Sequence, residues 1–125
     1  MFDQLNRFIQ LPAAPERIIS LVPSQTELLY HLNLDEKVVG ITKFCVHPEL
    51  WFCSKTKIGG TKNIDIEKIR SLKPDLIIAN KEENSKDLLE ELMQEFPVWI
   101  SDVTNVKSAL EMIDAISAIT NRKAE

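Results

Sequence analysis

Glycine, cysteine and tyrosine are scarce in this 125-residue chain, with three, two and one respectively. Gly40, Gly59 and Gly60 cannot compose the dinucleotide-binding fingerprint. Gly59-Gly60-Thr61-Lys62 also has the wrong order for a phosphate-cradling P-loop. Cys45 and Cys53 are too few for a disulfide framework. No run approaches the ~18 apolar residues of a membrane helix. Asp3, Gln4, Asn6 and Arg7 interrupt the first ten residues, so no secretory leader is legible and a cytoplasmic place is expected for the chain as it stands. Basic charge is short as well: 15 Lys and Arg against 19 Asp and Glu leave a net −4, which disfavours a nucleic-acid partner. Ser24 lacks the flanks of a nucleophile elbow, and no other catalytic constellation is present. Neither an enzyme nor a resident cofactor is expected.

What is present reads as a globular domain. The apolar share is 44% and the charged share 27%, close to the average soluble protein. Pro12 and Pro15 make residues 1–15 an expected extended arm. Residues 16–121 are then expected to form one lobe.

Within that lobe Arg17–Val22 is a branched, nearly continuous apolar run of the kind that suits a strand covered on both faces. Ser24-Gln25-Thr26-Glu27 has capping-box spacing, and Leu28, Leu29 and Leu32 continue it as a helix. Lys37–Thr42 is a second strand. Residues 43–64 fit neither period and are expected to form a long ordered loop. Asp65 is the expected N-cap of a helix carrying Ile66, Ile69 and Leu72 on one face. Asp75–Asn80 is a third strand. Leu88, Leu89, Leu92, Met93 and Phe96 mark an amphipathic helix, and Pro97–Ser101 a fourth strand. A last helix over 104–120 places Val106, Leu110, Ile113 and Ile116 on one face.

Strands alternating with helices predict an α/β fold: a mainly parallel sheet of four or five strands in a Rossmann-like three-layer sandwich. Ligands of such sheets collect at the carboxyl ends of the strands. Pro23–Gln25, Lys43–His47, Asn80–Glu83 and Ser101–Thr104 fall there. Phe44, immediately after the second strand, is either a core lid or a wall for a flat ligand. Lys43 and Lys62 at the mouth suit carboxylate or phenolate groups. Cys45, His47 and Cys53, with Glu49 as a fourth donor, offer zinc-type ligands, although the paired Cys-x-x-Cys spacing is absent. Cys45 reads equally as a small buried hydrophobe, and His47 as a loop residue before Pro48.

Arg17–Glu27, Val38–Thr42, Ile66–Ile69 and Leu72–Ala79, in that order, resemble the helical-backbone (class III) periplasmic binding proteins. These are the substrate-binding components of ABC importers for cobalamin, haem and iron–siderophore chelates. The resemblance runs from about Pro15 to Thr120. It implies a non-catalytic binding lobe, the amino-terminal one of two, with 122–125 as the start of an interlobe helix. The chain would then be a fragment, an isolated domain or a truncated gene product, acting outside the inner membrane.

The implied partners are a small-molecule metal chelate, an ABC permease and a carboxyl-terminal lobe, with a homodimer through the exposed lobe face. The implied ligand-binding residues are Pro23, Ser24, Gln25, Lys43, Phe44, Cys45, His47, Lys62 and Asn80, and Glu67 resembles the family's permease-docking glutamate. Thr61 and Lys62 stand where the family can carry a further aromatic, a departure that bears on cobalamin. The alternative is a cytoplasmic metal- or corrinoid-handling protein using Cys45, His47 and Cys53.

Overall fold

The structure, a computed structural model, describes residues 2–9, 15–45 and 49–120. In chain order the elements are β1 (Ile18–Ser20), α1 (Pro23–His31), β2 (Val38–Ile41), α2 (Glu49–Ser54), β3 (Thr56–Lys57), α3 (Ile66–Leu72), β4 (Leu76–Asn80), α4 (Lys86–Met93), β5 (Val98–Ser101) and α5 (Val106–Ile119). The five strands form one sheet in the order β3-β2-β1-β4-β5. Every pairing is parallel. Each strand therefore runs out at the same edge of the sheet.

Alternation along the strands divides the interior between two faces. Ile18, Leu76, Ile78 and Trp99 join Leu29 of α1, Trp51 of α2 and Ile116 of α5 on one face. Ile19, Ile77, Val98 and Ile100 join Ile69 of α3 and Leu89 and Leu92 of α4 on the other. Burying each such side chain is worth roughly 1.5–3 kcal/mol over leaving it in water. Sheet burial on both faces is what turned these strands into nearly unbroken apolar runs.

Four expectations are corrected. The stretch 43–64 is more than a loop: it contains α2 and β3. Within α2 only Trp51 is buried, and β3 is a two-residue edge strand with Thr56 exposed, so neither leaves a periodic apolar signature.

Helix α1 starts two residues earlier than the expected capping box implies. Pro23 occupies its first turn, Val22 is the N-cap, and no side chain caps it. The preset φ of proline makes it a natural first helical residue, so Ser24 and Glu27 are left exposed. The hydroxyl of Thr26 instead bonds back to Val22 O (3.1 Å) and Ser20 Oγ (2.8 Å).

On α5 the buried stripe is Met112, Ile116 and Ile119, while Val106 and Leu110 stay 76% and 57% exposed. The first two turns of this helix leave their apolar side uncovered.

Finally, residues 2–9 do not run extended. Asp3 N donates to Arg7 O and Asn6 N to Asp3 O, a turn held by the buried Asp3 carboxylate. Residues 10–14 and the expected interlobe-helix start, 122–125, lie outside the described residues.

Other expectations hold. The side chain of Asp65 accepts from Lys68 N and caps α3. The last helix falls within the expected 104–120, and its start carries an unanticipated capping box of Asn105 and Ser108.

Candidate functional site

Because the sheet is all-parallel, the segments after β1, β2, β4 and β5 meet on one rim. The chain leaves β1 through α1 toward β2 and leaves β4 through α4 toward β5. The topology therefore reverses between β1 and β4, where open α/β sheets usually bear a ligand crevice. Here that crevice is closed by two side-chain amides. Gln25 Nε2 donates to Ala79 O (3.2 Å) and Ser101 Oγ (2.5 Å). Asn84 Nδ2 donates to Leu21 O (3.1 Å) and to Thr61 O (2.9 Å). Asn80 joins them, its Nδ2 donating to Ser101 Oγ and its backbone N–H to Asn84 Oδ1 (2.8 Å). The result is a rigid polar floor under an open rim.

Asn84 is the residue that the sequence did not disclose. It is 2% exposed and ties the ends of β1 and β4 to the turn after β3. Four positions past the strand, in a turn of charged residues, it resembles any solvated loop residue.

Phe44 stands out from the rim, 54% exposed, with the Lys43 ammonium 5.4 Å from its ring centroid. Its backbone N–H donates to Thr42 Oγ1, and Lys43 N donates to Gly59 O (2.8 Å). The ring lies against Gly60, where an added Cβ would sit 3.2 Å from Phe44 Cε2. Gly59 holds φ at +105°, and a Cβ there would meet Asn63 O at 2.4 Å. Gly59 thus makes the turn, and Gly60 leaves room for the Phe44 ring beside it.

Lys62 is drawn inward: its ammonium donates to Glu82 O (2.7 Å) and Asn84 O (3.3 Å), clamping two loops together. Pro23 is half-buried and Ser24 exposed on the same rim.

Cys45 is fully buried, its sulfur 3.0 Å from Thr26 Oγ1 and 3.1 Å from Thr42 Oγ1. Cys53 is exposed on α2, and Glu49 opens that helix. His47 lies outside the described residues. Among the described residues no three His, Cys, Asp or Glu side chains group as a metal site. Nor, among them, is any helix long and apolar enough to cross a membrane.

Glu67, in the first turn of α3, has its side chain 82% exposed and ion-paired to Arg70. Arg70 also forks onto Glu95 (2.8 and 2.7 Å), and that hydrogen bond holds the Glu95 carboxyl below the usual glutamate range.

The family model described as periplasmic binding protein matches residues 18–125. An ABC transporter substrate-binding lipoprotein of Bacillus subtilis is 33% identical over 119 residues, 94% of this chain and 37% of that protein. The vitamin B12-binding protein of Vibrio vulnificus is 37% identical over 111 residues, 87% of this chain and 40% of its own. The solved structure of the periplasmic vitamin B12-binding protein of Vibrio cholerae superposes with a TM-score of 0.76 at 33% identity, covering 88% of this chain and 42% of that one. The chain thus spans about two fifths of the length of the curated relatives it matches.

Proposed function

The chain belongs to the periplasmic binding protein family. From that premise we propose that it is the amino-terminal lobe of an ABC importer's substrate receptor, non-catalytic, with the rim as half of its ligand site. The ligand class is a metal chelate of the cobalamin, haem or iron–siderophore kind. The observation that carries this reading is the exposed Phe44 platform over a floor already filled by Gln25 and Asn84. A surface without its own crevice holds a ligand only against a second wall, and a flat or bulky chelate suits stacking on one aromatic face.

Docking on a permease belongs to Glu67, whose exposed carboxylate on a helix start is available to a guanidinium. Lys43 is the rim cation that meets anionic ligand groups, whereas Lys62 acts as a loop clamp. The relatives support the receptor reading and give no support to a metal- or corrinoid-handling role for Cys45, His47 and Cys53. The exposed Val103, Val106 and Leu110 mark the face that a second lobe, or a second copy, would cover.

Calorimetric titration with cyanocobalamin, haemin and a ferric catecholate tests the half-site. A nanomolar ligand's ~12 kcal/mol, halved, leaves a dissociation constant on the order of tens of micromolar. One of the three should bind in that range, weakened about tenfold by Phe44→Ala. Nanomolar binding by the lone lobe would overturn the half-site, and silence toward all three up to millimolar concentration would overturn the chelate assignment.

A further inference from the structure

A cavity of about 400 Å³ lies between the N-terminal turn, α4 and β5. Its lining combines Leu5, Leu89, Met93 and Ile100 with Lys81 and Lys86 at the mouth. Nothing in the rim's role uses it, and with the rim it shares only the β4–α4 turn. We propose that this cavity binds a small amphipathic carboxylate, its hydrocarbon body on the apolar floor and its anionic end between Lys81 and Lys86.

Three observations carry the assignment. The volume falls in the ~300–1,000 Å³ range of small-molecule sites, and the floor is apolar, as such sites require. Leu89 and Ile100 are core residues, 3% and 1% exposed, and fix the base of the cavity, while the half-buried Leu5 and Met93 present its apolar surface. The wall contributed by the N-terminal turn is fixed as well. Arg7 is anchored by Nε to Asp3 Oδ2 (3.0 Å), by Nη2 to Val98 O (2.8 Å) and by Nη1 to the Met93 sulfur.

The charge at the mouth decides the ligand's polarity. Lys81 and Lys86 lie 4.0 Å from their nearest carboxylates, Asp102 and Glu90, and neither ammonium donates a hydrogen bond among the described residues. Their donors are therefore open to a carboxylate, which would gain charge-assisted hydrogen bonds that the protein does not supply. Arg7 adds no attraction of its own, because Asp3 neutralises it at 2.8 Å. Glu82 and Glu90 share the mouth, which excludes dianions and confines a single carboxylate to the lysine side.

Octanoate and octanol, titrated separately into the isotope-labelled chain and followed by amide chemical shifts, test the proposal. Octanoate should perturb Leu5, Lys81, Leu89, Met93 and Ile100 saturably, with a dissociation constant near ~1 mM for a ligand of this size. Octanol should bind about tenfold more weakly. Lys81→Gln with Lys86→Gln should reduce octanoate to the octanol level and leave octanol unchanged. These surface substitutions leave the fold intact, so their effect reads the anion subsite alone. Equal affinities for acid and alcohol, shifts centred on Phe44 and Leu110, or shifts that never saturate would each overturn the assignment. The rim's chelate reading stands or falls independently.

Discussion

Two adjacent glycines do different work in the turn after β3. Gly59 supplies a backbone conformation, with φ at +105°, and Gly60 supplies space for the Phe44 ring. Gly59→Ala places a methyl 2.4 Å from Asn63 O and should lower stability by about 1–3 kcal/mol, read as a fall in urea midpoint at unchanged m-value. Gly60→Val should leave stability closer to wild type, because Phe44 can swing outward, while displacing the ring from its platform. Asn84 is the more consequential single residue. Asn84→Ala strips partners from the Leu21 and Thr61 carbonyls and from the Asn80 N–H at once, and should cost about 2–3 kcal/mol. A urea titration showing less than half a kcal/mol would mean that the three loops hold themselves without it.

Charge at Glu95 gives a pH signature of known sign. Its hydrogen bond from Arg70 depresses the folded carboxyl below its usual value of 4.5. The contribution is therefore complete above that value and fades as pH falls through the lower, folded one. The stability gap between wild type and Glu95→Gln should be widest near neutrality and close on acidification below about pH 4.5, measured by thermal melts across pH. Because the pair is open to solvent, its gap is small and high salt narrows it further.

Strand β5 is an outer strand of the sheet, and its outward hydrogen-bonding groups would invite another chain. The N-terminal turn answers that problem. Gln4 N donates to Ile100 O (3.1 Å), Asp102 N donates to Gln4 Oε1 (2.8 Å), and Arg7 Nη2 donates to Val98 O. Gln4 Nε2 reaches Ser108 O as well, tying α5 to the same turn. Deleting residues 1–9 should bare this edge and produce concentration-dependent aggregation by light scattering, with a cooperative but lowered melt. A deletion variant that stays monodisperse would show that the turn only decorates the strand.

None of this cover was legible beforehand, because its determinants are polar groups placed some hundred residues apart in sequence. The strands, by contrast, were legible: Arg17–Val22 and Asp75–Asn80 carry their burial in plain apolar runs. So was the capping of α3 by Asp65, a contact three residues long. Elements failed to show where side-chain burial is thin, as in α2, which hides only Trp51, and in the exposed β3. For the rim, sequence order and parallel topology located the loops. The closure of the crevice by Gln25 and Asn84 could not be read, since an amide's partner across the sheet leaves no local trace.

Taken as a body, the molecule is asymmetric. Single apolar side chains stand exposed on other helices, as Leu50 does on α2, but at the rim end of α5 three come close together in sequence: Val103, Val106 and Leu110, at 38%, 76% and 57% exposure. Val106 and Leu110 sit four apart, hence on one side of the helix, and Val103 precedes it in the β5–α5 loop. An apolar stripe at helical spacing normally faces a core, and here it faces solvent at the same end of the sheet as Phe44, with β1 and β4 between them. A second lobe closing over the rim would cover both together. In its absence the same surface should associate with a second copy, weakly, since three side chains offer far less than the ~800 Å² per partner of a standard interface. Sedimentation equilibrium should then show monomer and dimer exchanging in the high-micromolar range. Val106→Lys with Leu110→Lys should leave monomer alone at every concentration and leave the melt unchanged, because neither side chain contributes to the core. Persistence of the dimer in that double variant would place the contact elsewhere, and would remove the argument that this face of α5 is built to be covered.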